Sequence, residues 1–375
     1  MKIGIIDTDH YFYIYSLIQL FENSDTEITI YTNNKVFKRC KVDLEGRSDI
    51  KYVVQDANET WGDFLERKVD SINSAGFDYF FLCPIYQDYR SHYKFVSKLK
   101  TLNILVVFNL NGWINPLFKN MRHFLRSWYR HQIIKKIKWI AIDEHFHDHA
   151  IKLGCKNKIL HIPSLLYDPP FVAKYRADKP PIKIIVPGTI DPDRRDYHVV
   201  MDALEMALDQ RQDFEVVLLG DPIAEYGKLI HQRAKKINEK YGKHIIKIFE
   251  NKYTDNEFLR EMVSGHFLIA PVLPEFNLDG IIEVYGTSKS TGSCFDILAY
   301  AIPGVFPSWL SVNSHFDSST LRYSNANDLS KVILDFVIHP EKIEKLRANA
   351  LSNSGHYSIE NVRGRLLKSL PSLKS

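Results

Sequence analysis

Residues 182–191 read IKIIVPGTID, a near-continuous β-branched run that ends at Pro187 and Gly188. A run of this kind suits a parallel strand covered by helices on both faces. It also restarts a pattern already present in the first half of the chain, where short apolar runs at 2–6, 27–31, 50–54, 77–83, 103–108, 138–142 and 158–161 alternate with segments of helical spacing. After the restart come predicted strands at 214–219, 244–249, 266–270 and 303–306, with helices near 195–209, 225–240, 255–263 and 291–301. The fold class is therefore α/β, with two doubly wound, Rossmann-like domains facing a cleft.

Between the two halves, Pro163, Pro169, Pro170, Pro180 and Pro181 lie among scattered charges, a composition that resists regular structure and suits a hinge. Predicted boundaries are 1–165 for the first domain, 166–181 for the linker, 182–355 for the second domain and 356–375 for a helical tail. A length of 375 residues fits two domains, and 45 % apolar with 25 % charged residues excludes a disordered chain. A net charge of +4 is too small to mark a nucleic-acid binder. Cys40, Cys83, Cys155 and Cys294 show none of the paired spacings of a zinc site or disulfide framework, which points to a reducing, cytoplasmic setting. Asp7 and Asp9 interrupt the N-terminal apolar run before a signal-peptide core forms, and no stretch is long and apolar enough to span a membrane.

Ligands of open α/β sheets bind beyond the carboxyl ends of the strands, so the chemistry belongs in the loops there. Neither the three-glycine dinucleotide turn nor a P-loop is present. The informative segment is 283–304, EVYGTSKSTGSCFDILAYAIPG. Lys289, Ser290, Thr291, Gly292 and Ser293 precede a helical run, and a helix entry presents unpaired N–H groups and a positive dipole to an anion. An ordinary cap needs one hydroxyl, whereas several stand here beside a lysine. After Gly188 come Arg194 and Arg195, a second cationic element able to clamp a diphosphate. In the first half, Asp7, Asp9 and His10 follow the first strand, and Asn109, Asn111 and Trp113 follow the fifth.

With these motifs the chain resembles the two-domain GT-B glycosyltransferases, particularly the bacterial enzymes that build cell-surface polysaccharides. "IIVPGTIDPDRRD" resembles their glycine loop and basic phosphate contact, "EVVLLGD" their second strand, "FLIAPVLPE" the strand before their acidic motif, and "DILAYAIPGVFP" the closing helix and the strand after it. The stretch "WIAIDEHFHDHAIKLGCKNKILHIP" is similar to the end of their N-terminal domain. Many members carry two glutamates separated by seven residues. Here Asp296 matches the second, while Ser288 stands eight residues before it.

The resemblance implies an acceptor-side first domain and a second domain binding a UDP- or GDP-linked sugar, with no metal or other cofactor required. It implies catalytic candidates Glu283, Glu275, Asp9 and His10. Gly188, Arg194, Arg195, Tyr285, Gly286, Lys289, Ser290, Thr291, Gly292, Ser293 and Asp296 would contact the donor, and Asn111 and Trp113 the acceptor. Sugar-nucleotide 2-epimerases share the architecture, and a non-catalytic nucleotide-sugar binder is the third reading.

From Ile114 to Lys138 the chain carries Lys119, Arg122, Arg126, Arg130, Lys135, Lys136 and Lys138 with no acidic residue, interleaved with apolar side chains at helical spacing. Such a helix can rest on an anionic bilayer, which would make the acceptor lipid-linked and place the protein on the inner face of the membrane. Packing of the apolar stripe on the first sheet, with the charges in water, is the alternative.

Overall fold

The computed structural model describes residues 1–22, 25–43, 47, 49–115, 121–175, 181–249 and 253–370. The first lobe is a seven-stranded parallel sheet of β1 (Lys2–Asp7), β2 (Glu27–Thr32), β3 (Ile50–Val54), β4 (Tyr79–Leu82), β5 (Asn103–Val106), β6 (Trp139–Ile142) and β7 (Lys158–His161), in the order β3-β2-β1-β4-β5-β6-β7. The second lobe has β8 (Ile182–Pro187), β9 (Phe214–Leu219), β10 (Ile246–Lys247) and β11 (Phe267–Ile269). A hairpin of β12 (Glu275–Leu278) and β13 (Ile281–Val284) follows, and then β14 (Gly304–Pro307) and β15 (Thr320–Tyr323). Its six-stranded parallel sheet runs β10-β9-β8-β11-β14-β15.

In both sheets the strand order reverses beside the first strand, between β1 and β4 and between β8 and β11. Crevices form at such reversals. The loops holding His10 and Arg195 therefore lie where ligands bind in sheets of this kind. Central strands are buried along their length, as with Tyr79–Leu82 and Trp139–Ile142, because helices cover both faces. Asp196 starts helix Tyr197–Leu208 by accepting the amides of His198 and Val199 at 3.0 and 3.3 Å. Thr254 and Glu257 form a reciprocal capping box at helix Asp255–Ser264.

Two expectations change. The linker is not devoid of regular structure: Pro169–Tyr175 is a helix. Pro169 and Pro170 stand in its first turn, where a missing N–H costs nothing. Hairpin β12–β13 and strand β15 are additions to the predicted pattern. Beyond the second lobe, helix Ile359–Ser369 returns to the first. There Arg363 donates to the carbonyls of Leu20 and Gln19 at 3.0 and 2.5 Å, at the end of helix Tyr11–Phe21. The two crossings between lobes meet where the Tyr167 N–H donates to the Tyr357 carbonyl at 3.1 Å.

Candidate functional site

On the first-lobe rim, Asp7 ends β1 and its carboxylate accepts the backbone N–H groups of Asp9 and His10 at 2.6 and 2.7 Å. This fixes the turn that presents His10, whose ring lies 5.1 Å from that of Tyr86 and 5.3 Å from that of Phe108. Burial holds the His10 pKa below its ordinary value; Asp7 and Asp9 oppose this and Lys289 adds to it. The ring is thus a neutral imidazole at neutral pH, with a buried Nδ1 that has no hydrogen-bond partner among the described residues. Asp9 is not gathered into this group: its carboxylate pairs with Lys35 at 2.6 Å, with both side chains more than half exposed.

On the opposite rim, Gly188 has φ of +98°, and a Cβ there would stand 2.3 Å from an Arg195 guanidinium nitrogen. The glycine lets the guanidinium lie flat on the loop. Arg195 makes one long bond, 3.4 Å to the Thr189 carbonyl, and its buried Nε has no partner among the described residues. Beside it is Asp296, buried in helix Gly292–Ala299, whose carboxyl is pushed up to about 7 by burial while Arg195 pulls the other way.

Among the described residues no side chain caps that helix at Thr291 and the buried Ser293 hydroxyl has no partner, while Gly292 is exposed with open space where a Cβ would project. Ser290 lies half-buried at the same entry. An open helix N-terminus, an unpaired hydroxyl and an unpaired guanidinium N–H make a receptor for an anion. Arg194 is more exposed, 3.4 Å from Asp191, with its guanidinium over the Phe276 ring. Tyr253, absent from the sequence reading, joins the group through its electrostatic coupling to Asp221, Asp296 and Arg195. Its signal was an aromatic residue in the loop after a second-lobe strand.

The hairpin carries the second lobe onto the first. Asp279 (φ +55°) and Gly280 (φ +81°) form its turn, of the kind an Asp-Gly pair favours. The Asp279 carboxylate pairs with Arg126 and, at 2.7 Å, with buried Arg130, which also donates to the Tyr89 hydroxyl at 2.5 Å. The basic segment is thus corrected in part: these two arginines hold the hairpin, and Arg130 is buried there. Lys119 lies outside the described residues, as does the side chain of Arg122.

Glu283 is 0 % exposed. One carboxylate oxygen accepts the Gly112 amide at 2.8 Å, the other that of Asn111 at 3.3 Å, and the Ser288 hydroxyl adds a third bond. The glutamate, a catalytic candidate in the sequence reading, meets the first-lobe helix Leu110–Ile114 across the lobe boundary as a clamp. Burial raises its pKa. Glu275, opposite Val284 in the hairpin, is exposed and stands outside the group.

Asn111 also serves the clamp, its amide donating to the Ile282 carbonyl at 2.9 Å, and Trp113 is buried in the first-lobe core beside Tyr89. The resemblance implied an acceptor contact for both; in the structure they are engaged in the clamp and the core. Lys289 donates to Asn109 at 2.8 Å and lies 5.3 and 5.8 Å from the Phe276 and Tyr285 ring centroids. Its pKa is lowered to about 8, first by burial and then by Arg194, with Glu283 opposing. Tyr285 is buried, and Gly286 (φ +76°) turns the chain so tightly against Ser311 that a Cβ would meet its carbonyl at 2.3 Å. These two shape the loop.

The clamp predicts that Glu283→Gln lowers unfolding free energy by about 1–2 kcal/mol, since an amide nitrogen would face one of the two donor N–H groups. Urea unfolding at pH 7 measures it, and an unchanged midpoint would refute the clamp.

The chain matches no protein-family model, and no curated protein matches it in sequence. Solved structures do match it in shape. The Anabaena protein Alr3699/HepE, crystallised with UDP and glucose, has a TM-score of 0.68 at 10 % identity over 100 % of both chains. A Rickettsia africae glycosyltransferase gives 0.66 at 12 %, over 98 % of this chain and 97 % of that one. The UDP-GlcNAc 2-epimerase of Methanocaldococcus jannaschii gives 0.56 at 12 %, over 89 % and 92 %. Together with the two parallel sheets and their paired reversal points, this likeness over nearly the whole chain establishes that the protein has the GT-B fold.

Proposed function

We propose that the protein is a glycosyltransferase that moves a sugar from a UDP- or GDP-linked donor to a hydroxyl of a glycan or lipid-linked acceptor, as in surface polysaccharide assembly. The observation that carries this reading is the uncapped, open entry of helix Gly292–Ala299 beside the unpartnered guanidinium N–H of Arg195. Fixed donors of this kind stabilise a departing diphosphate without a metal. Asp296 accepts a donor hydroxyl. Lys289 spends one of its three N–H donors on Asn109 and keeps the others for phosphate oxygens. As the bond from the anomeric carbon to the diphosphate breaks and the acceptor oxygen attacks, neutral His10 takes the acceptor proton.

The test is incubation with a panel of nucleotide sugars, with and without sugar acceptors, following release of nucleoside diphosphate. Release that is stimulated by acceptor and yields a glycosylated product supports transfer. Conversion of the donor to its epimer without release would favour the 2-epimerase reading, which the likeness to the Methanocaldococcus jannaschii enzyme keeps in view. A donor that binds unchanged would leave a nucleotide-sugar binder.

Lys289 adds a pH signature. Its charge is lost above about pH 8, so affinity for a nucleoside diphosphate should fall as pH rises past that value. Lys289→Ala should bind about tenfold more weakly at pH 7 and lack the fall. Calorimetry from pH 6.5 to 9 checks both.

The acceptor is proposed to be lipid-linked, with the protein on the inner face of a membrane. No helix among the described residues is long and apolar enough to cross a bilayer. On helix Met121–Lys136, however, Phe124, Leu125 and Trp128 are exposed, as are Lys135, Lys136 and the following Lys138. An apolar surface flanked by cations suits an anionic interface. Leu125→Asp with Trp128→Asp should reduce co-sedimentation with phosphatidylglycerol vesicles several-fold, and equal sedimentation would reject membrane docking.

A further inference from the structure

Beside the hinge, three polar groups from three segments converge, next to a small cavity that Asn313 and Tyr357 share with Ser290 and Thr291. Glu144 belongs to the 3₁₀ turn Glu144–Phe146 that follows β6 in the first lobe. His315 comes from the turn Ser314–Ser319, between β14 and β15 of the second. His356 lies between helices Pro340–Gly355 and Ile359–Ser369, next to the point where the two crossings are hydrogen-bonded. One ligand atom of each residue lies within 4.8 Å of the other two. The His356 Nε2 is buried and faces a Glu144 carboxylate oxygen at 3.5 Å, and the His315 ring stacks on that of His356 at 4.3 Å.

The surroundings hold these groups in place. Tyr357 is hydrogen-bonded to the Glu144 carboxylate, and Asn313 donates to the Tyr357 hydroxyl at 2.7 Å. The other end of the Asn313 amide accepts the His315 backbone N–H at 3.1 Å, so one side chain anchors both sides of the cluster. Ligating carboxylates are fixed by outer partners in this way. Arg365, the neighbouring cation, donates to the His356 carbonyl at 2.9 Å. Two imidazoles and one carboxylate form the ligand set of an open zinc site, whereas calcium and magnesium take oxygen ligands.

We propose that Glu144, His315 and His356 bind a divalent transition-metal ion, with zinc favoured by the ligand chemistry, and that the ion ties the two lobes together at the hinge. Glu144 is fixed to the first lobe and His315 to the second, so an ion shared by both restrains the angle between the sheets. None of the three ligand residues belongs to the proposed diphosphate receptor, although Asn313 and Tyr357 line a cavity together with Ser290 and Thr291.

The experiment uses untagged full-length protein stripped with a chelator and titrated calorimetrically with zinc chloride alone. Saturable binding of about one equivalent, with a rise in the thermal unfolding midpoint, is expected. His315→Ala, at an exposed position, and His356→Ala should each weaken binding at least about tenfold while circular dichroism stays unchanged. His147 and His161, 3.0 Å apart nearby, serve as controls whose replacement by alanine should leave affinity intact. Absence of saturable binding, or loss of binding in the His147 and His161 variants but not in His315→Ala, would overturn the assignment.

Discussion

Arg195→Ala is expected to raise the dissociation constant for a nucleoside diphosphate about a hundredfold, the effect of losing two charge-assisted hydrogen bonds to phosphate. The native fold uses this side chain little. Its single bond is long, and its Nε is unpaired among the described residues, so the thermal midpoint should scarcely move. Arg194→Ala is the internal comparison: that guanidinium is nearly half exposed and close to Asp191, and its removal should cost no more than a few-fold. Calorimetry with UDP and with GDP reads both variants. Equal, small losses would mean that the diphosphate does not lie against Gly188 and the helix entry.

Asp296→Asn should stabilise the folded protein by up to roughly 4 kcal/mol at pH 8 while weakening donor binding about tenfold. The sign follows from the direction of the shift. A carboxyl raised from 3.8 to about 7 is favoured in its acid form by the folded state. Its contribution is fully present below about pH 3.8, declines as pH rises, and is gone once pH has passed about 7. Asparagine mimics the acid form at every pH, so variant and wild type should converge near pH 4 and diverge towards pH 8. Urea unfolding at the two pH values decides the point, and a difference independent of pH would remove Asp296 from the desolvated position argued for it. A residue that costs stability and gains affinity is the usual signature of a binding group.

The sheets were legible because buried parallel strands leave near-continuous apolar runs, as in Ile184 to Val186 or Trp139 to Ile142, and these periods are local. Likewise legible was the helix entry at 290–293, whose hydroxyls and glycine are contiguous. The clamp made by Glu283 was not legible because its partners, the Asn111 and Gly112 amides, stand about 170 positions away, and nothing local reports that a backbone will meet a carboxylate. The same holds for Arg126 and Arg130, which looked like a free cationic stripe until Asp279 was placed against them. The hairpin itself has a local signal, the Asp279-Gly280 pair between two apolar runs. Tyr253 joins Asp296 and Arg195 through the tertiary fold alone.

The return of helix Ile359–Ser369 to the first lobe bears on how the chain is made. The second lobe is one uninterrupted stretch and can close as soon as its last helix leaves the ribosome. Helix Tyr11–Phe21, in contrast, waits for a partner that emerges only after some 350 further residues, about 20–70 seconds at ordinary elongation rates. Its core side closes early, with Phe21 against Tyr79 and Phe81, so only the surface that receives the last helix stays open, and nascent-chain crosslinks to a holdase there should vanish once residue 369 has cleared the exit tunnel.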